Sequence, residues 1–166
     1  KLAASRFDKS GLQLLKKESG RLMHLLYPVT IVLLLTSNYF YPLVFREEFS
    51  SSAVIFNTYL LLLISRVVFP QTLVIAAGKN NIIFKIALVE ITVNVLVSYF
   101  LMLKLGIIGI AIGTLAAFIV EKCCLALYVH IKMKVPISEY LQWKTWLVYS
   151  FLLLAVFFLH YFSTHH

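Results

Sequence analysis

Four charged side chains stand inside long apolar runs of this chain: Arg66, Glu90, Glu121 and Lys122. A charge within a hydrocarbon layer is costly and turns toward a cavity or a partner, so these residues are the ones able to hold an anion, exchange an ion or pair with one another. Asn94 follows Glu90 by four residues, shares its helical face and extends a polar stripe. At a rise of about 1.5 Å per residue, Arg66 lies roughly 16 Å, Glu90 roughly 12 Å and Glu121 roughly 13 Å from the same end of their runs. One layer of a bilayer would then contain all three, with Arg66 in reach of Glu90 or Glu121. Lys122 needs a partner less, because its stem can carry the ammonium to the headgroups. Two readings follow: these groups fix helix packing through polar contacts, or they line a water-filled path for an anionic substrate or a coupling ion.

Two further features bear on how such groups are placed. Pro70 follows Arg66 by four residues and cannot donate to the carbonyl one turn back, so a hinge is expected beside the charge, with Gln71 available to satisfy the freed group. Gly109, Gly113 and Ala117 recur at steps of four, with Gly106 just before them, a small-residue face that lets two helix backbones approach closely.

The elements that carry these residues are apolar runs long enough to cross a hydrocarbon core of about 30 Å, which takes roughly 20 residues. Five spans are expected, over residues 22–45, 53–77, 82–103, 107–130 and 143–162, giving an all-α polytopic bundle over 22–162. Hydrophobic residues form 61% of the chain, charged residues 13%, and mean hydropathy is +0.90, well outside the range of water-soluble domains. Runs such as LLYPVTIVLLL and TWLVYSFLLLAVFFL are apolar all round, which excludes an amphipathic soluble bundle, and no apolar–polar dyad suggests barrel strands. Residues 1–21 read as an interfacial or linker helix, with Leu12, Leu14 and Leu15 beside Lys16, Lys17 and Arg21 and with Asp8 or Ser10 as its cap. The chain starts at Lys1 on a basic stretch without a signal peptide, and the expectation is a piece of a longer protein. Residues 163–166 form a tail whose His165 and His166 look tag-derived.

Basic residues in the connections set the orientation. Lys1, Arg6, Lys9, Lys16, Lys17, Arg21, Lys79, Lys85, Lys132, Lys134 and Lys144 fall on one side, against Arg46 and Lys104 on the other. The amino end is therefore expected in the cytoplasm and the carboxyl end outside, across a bacterial cytoplasmic membrane. This asymmetry also accounts for the net charge of +8 without nucleic-acid binding. Tyr27, Tyr39, Tyr41, Tyr140, Trp143 and Trp146 lie near span ends, where they either anchor at the headgroups or pack between helices.

Enzymatic motifs are lacking: no HExxH, no GxSxG, no phosphate-binding Gly-rich loop. His24, His130 and His160 are isolated, and adjacent Cys123 and Cys124 point about 100° apart on a helix, so no metal site, disulfide or cofactor is expected. With the unusual polar residues inside the membrane and short connections, transport is favoured over catalysis.

The run from Gly78 to His130 resembles the second half of bacterial polysaccharide flippases of the multidrug/oligosaccharidyl-lipid/polysaccharide exporter superfamily. The likeness rests on the Gly-containing turn at Gly78 to Asn81, the mid-span Asn94, the turn Gly106 to Gly109 and the Ala111 to Thr114 stretch, with Leu43 to Glu48 and the Pro70 span upstream. It implies that the five helices are part of the second lobe of a two-lobed transporter whose amino-terminal lobe lies elsewhere. The implied activity is export of lipid-linked oligosaccharide precursors by alternating access, with a polyprenyl-diphosphate-linked oligosaccharide and the bilayer as partners. Arg66 and then Lys122 would meet the anionic headgroup, with Glu90 and Glu121 orienting Arg66 or exchanging an ion. A multidrug or cation antiporter of the same fold and a non-transporting membrane scaffold subunit are the alternatives.

Overall fold

The computed structural model describes residues 9–44 and 52–164, and these are helical throughout apart from short connections. The elements are α1 (Lys9–Val44), α2 (Ser52–Leu60), α3 (Leu63–Arg66), α4 (Pro70–Ala76), α5 (Asn80–Leu105), α6 (Ile107–Lys132), α7 (Ile137–Tyr140) and α8 (Trp143–Thr164). Among the described residues there is no strand. Four helices, α1, α5, α6 and α8, are long and apolar enough to cross a membrane, and α2 to α4 make a fifth span if the bent pair is counted as one. The chain is an all-α polytopic protein.

The expected linker helix and first span are one continuous helix. Nothing between Lys9 and Val44 breaks it: Gly11 and Gly20 are tolerated, and Pro28 sits within the apolar portion. Met23, Tyr27, Thr30, Leu34 and Ser37 are buried in its apolar half, alternating in steps of four and three. That spacing is the seam of a helix packed along a neighbour at a shallow angle.

The neighbour is α8. Lys16 donates to the Ser138 carbonyl just before it, His24 hydrogen-bonds Tyr149 at 2.7 Å, Tyr27 hydrogen-bonds Ser150 at 2.7 Å, and Ser37 lies 3.5 Å from His160. Partners are separated by a near-constant 122 to 125 positions, so α1 and α8 run parallel. A parallel pair requires an odd number of crossings between its members. The hairpin of α5 and α6 supplies two, and the broken segment α2 to α4 supplies the third.

The interior of the fold gathers Met23, Tyr27, Val67, Val74, Leu125, Val129 and Leu141, drawn from α1, the broken span, α6 and the residue after α7, toward the end where α1 begins. Helix α5 has no buried residue and packs chiefly on α6, at the edge of the bundle. On α6 the residues Gly109, Gly113, Ala117, Glu121, Leu125 and Val129 are all buried, an unbroken row at steps of four. Each step of four residues rotates about 40° around the helix, so the row turns by about 200° from end to end. Its glycine end faces α5, where a Cβ at Gly113 would come within 2.7 Å of the Ser98 backbone and one at Gly109 would meet the Leu101 carbonyl. Its other end enters the interior cluster.

Gly106 differs from its two successors. It is exposed, nothing beyond its own chain neighbours lies within 4 Å of a Cβ built there, and its φ of +62° with ψ of −143° makes the reversal between α5 and α6. Glycine is required there by backbone conformation, which corrects its assignment to the packing face.

Candidate functional site: a broken span beside a charged groove

The second span is interrupted where Arg66 stands. From Thr58 to Ser65 the backbone tightens to bonds three residues apart, as in Leu61 N to Thr58 O and Ser65 N to Leu62 O, and Ser65 Oγ also donates to the Leu62 carbonyl. Helix α3 ends at Arg66, residues 67–69 are non-helical, and Pro70 opens α4 as a first-turn residue. Proline suits that position because the first turn of a helix leaves its N–H unused. The segments on either side are bent by 48°.

A helix end inside a membrane leaves carbonyls that must find donors. Val68 N–H bonds Ser65 O, which deprives Ile64 O of its partner four residues ahead. Trp146 Nε1 from α8 donates to that carbonyl at 2.8 Å. The side chain of Gln71, expected to satisfy the break, makes no hydrogen bond among the described residues. The place of Trp146 near a span end suits an anchor or packing residue, and no local signal announces a bond to Ile64, 82 positions away.

Arg66 projects an exposed side chain whose guanidinium sits over the Phe118 ring of α6, 4.0 Å from its centre. Such a contact stabilises a cation without neutralising it. One turn along α6, Glu121 is buried and pairs with Lys122, 3.1 Å between Nζ and Oε2. The side chains of both are little exposed, 11% and 13%, so this pair is shielded from solvent on both members. The expected pairing of Arg66 with a carboxylate is thus replaced by a ring contact, Glu121 being taken by its neighbour Lys122. Lys122 is likewise held in place instead of extending outward.

Glu90 on α5 is half-buried and feels the charges of Glu121, Lys122 and Arg66. The four charged residues therefore form one electrostatic cluster between the broken span, α5 and α6. Asn94, a turn farther along α5, accepts a hydrogen bond from Ser98 at 2.9 Å, and Ser98 faces Gly113. It belongs to the α5–α6 seam. The described residues include no group of His, Cys, Asp and Glu able to hold a metal ion. Cys123 and Cys124 are free thiols, the first exposed.

Chemically, the cluster offers two cations and two carboxylates, of which one carboxylate is already matched. An anion can approach Arg66 at the break, and a cation can approach Glu90. The connection containing Arg46, Glu47 and Glu48 lies outside the described residues, as do Asp8 and the tail histidines. The chain matches no known family model, no curated protein and no solved structure.

Proposed function

We propose that this chain forms part of one lobe of an alternating-access exporter that carries a lipid-linked anionic solute, a polyprenyl-diphosphate oligosaccharide, across a bacterial cytoplasmic membrane. The observation that carries the proposal is the break in the second span with Arg66 at its edge, exposed and supported by Phe118 and in no ion pair with a carboxylate among the described residues. Interrupted spans in transporters put helix ends and charges at solute depth, and the bend provides a place for one part of a lobe to move against another. The resemblance to polysaccharide flippases supports the solute class, and the basic residues at one end support a cytoplasmic amino terminus.

In this mechanism the diphosphate is drawn to Arg66, and the Glu121–Lys122 pair keeps a net-neutral wall that does not compete for it. The polyprenyl tail remains in lipid while the sugar passes along the groove. Glu90 favours a second reading, a cation antiporter, since it forms no ion pair among the described residues.

The test is reconstitution of the protein with its native flanking sequence in liposomes carrying a fluorescent polyprenyl-diphosphate oligosaccharide. Arg66→Ala is expected to slow movement by roughly 10- to 100-fold, the loss of a charge-assisted contact to phosphate, with folded yield unchanged. Normal transport at normal yield removes Arg66 from the site. Drug or cation efflux without lipid movement selects the antiporter.

A further inference from the structure

A cavity of about 320 Å³ lies between the first turns of α1 and the short helix α7, lined by Lys9, Leu12, Gln13, Lys16, Ser138 and Glu139. The transport reading makes no use of it. Its two walls are tied together by Lys16, whose Nζ donates to the Ser138 carbonyl at 2.7 Å.

The parallel register of α1 and α8 sets the depth of this cavity. Gly20 lies against Gln142, directly before Trp143 opens the apolar α8. Trp143 is 42% exposed, the type and position of a residue that rests among headgroups. Lys16 is one turn farther out along α1, about 6 Å, at the level of lipid phosphates.

The lining has both signs of charge, which selects among headgroups. Two lysine ammoniums can bind phosphate oxygens, Gln13 and Ser138 add neutral hydrogen-bonding groups, and the buried Leu12 gives the cavity one apolar wall. Glu139 would repel a purely anionic headgroup but matches an ammonium carried next to the phosphate. A quaternary choline has no N–H to donate to that carboxylate, and a glycerol headgroup has no cation.

From this geometry we infer that the cavity binds the phosphoethanolamine headgroup of a membrane phospholipid, Lys9 and Lys16 holding the phosphate and Glu139 the primary ammonium. The inference depends on the membrane setting of α1 and α8 and not on the solute transported.

The test is native mass spectrometry of the whole chain in detergent, equilibrated with equal amounts of dioleoyl phosphatidylethanolamine, phosphatidylglycerol and phosphatidylcholine. The ethanolamine lipid is expected to be retained roughly threefold over each of the others, the scale of one partly exposed ion pair. Glu139→Gln should erase that preference, bringing the glycerol lipid level with or above the ethanolamine lipid. Lys9→Gln should lower retention of both while leaving the Lys16–Ser138 bond in place, and both changed residues are exposed, so folding is preserved. Soluble phosphoethanolamine at the same concentration should not displace the lipid. Equal retention of the three lipids by the unaltered protein overturns the inference, as does an unchanged preference in Glu139→Gln. Binding of soluble phosphoethanolamine with no lipid retained overturns the lipid source.

Discussion

Trp146 and Tyr140 are both buried or half-buried aromatics with a polar tip, and their tips have opposite fates. Trp146 donates its Nε1–H to Ile64 O at the broken span. Trp146→Phe keeps most of the ring but strands that carbonyl, so a loss of about 1–3 kcal/mol is expected, read as a lowered unfolding midpoint in detergent. An unchanged midpoint would mean that another donor serves the break. Tyr140 is 1% exposed and its hydroxyl has no hydrogen-bond partner among the described residues. Burial pushes its pKa up from 10.0 to about 12. The unfolded chain therefore loses this proton first as pH rises, and the stability held below pH 10 falls progressively up to about pH 12, by about 2–3 kcal/mol. Tyr140→Phe removes an unsatisfied hydroxyl and should leave neutral-pH stability equal or slightly higher while flattening the decline between pH 10 and 12. Denaturation of both proteins across that range checks it, and parallel curves would assign the decline to other groups.

At the scale of the element, α6 joins packing and charge on one row. Gly109 and Gly113 let α5 approach, and the same step of four leads through the buried Ala117 to Glu121. The helix that packs closely on α5 thus also carries the buried Glu121 of the charged cluster, and the spacing of the two is set by helical geometry. Gly113→Ala should cost about 1–3 kcal/mol, since the added methyl meets Ser98 backbone that cannot swing aside. Gly106→Ala should cost a similar ~1–3 kcal/mol for a different reason, its backbone conformation, with no clash. The two separate in a crosslinking assay between α5 and α6: Gly113→Ala should alter the yield of a Ser98–Gly113-level crosslink, and Gly106→Ala should not. Equal effects would mean that both glycines serve the same contact. The small-residue face was readable from sequence because it depends only on period. Gly106 shares the residue type, and only the backbone angles distinguish its role.

For the whole molecule, the parallel course of α1 and α8 makes the broken segment a true crossing. Cysteines placed singly at Lys17 and Lys79, in protein with Cys123 and Cys124 replaced, should react with an impermeant maleimide from the same side of a vesicle, and one at Lys104 from the other. Labelling of positions 17 and 79 from opposite sides would mean that α2 to α4 turn back within the membrane. The exposed faces of α5 and of α8 show where lipid or further helices can sit around this bundle.

Hydropathy alone was enough to place the membrane-crossing runs, because the length of an apolar helix is matched to the thickness of hydrocarbon and needs no partner to be counted. It also singled out Arg66, Glu90, Glu121 and Lys122, since a charge in such a run is conspicuous wherever the run folds. Which charges meet is a different matter. That Arg66 rests on Phe118 while Glu121 takes Lys122, that Trp146 caps Ile64, and that Lys16 reaches Ser138 depend on the register between helices far apart in the chain. Register arises from the fit of entire side-chain rows, and only the assembled bundle determines it.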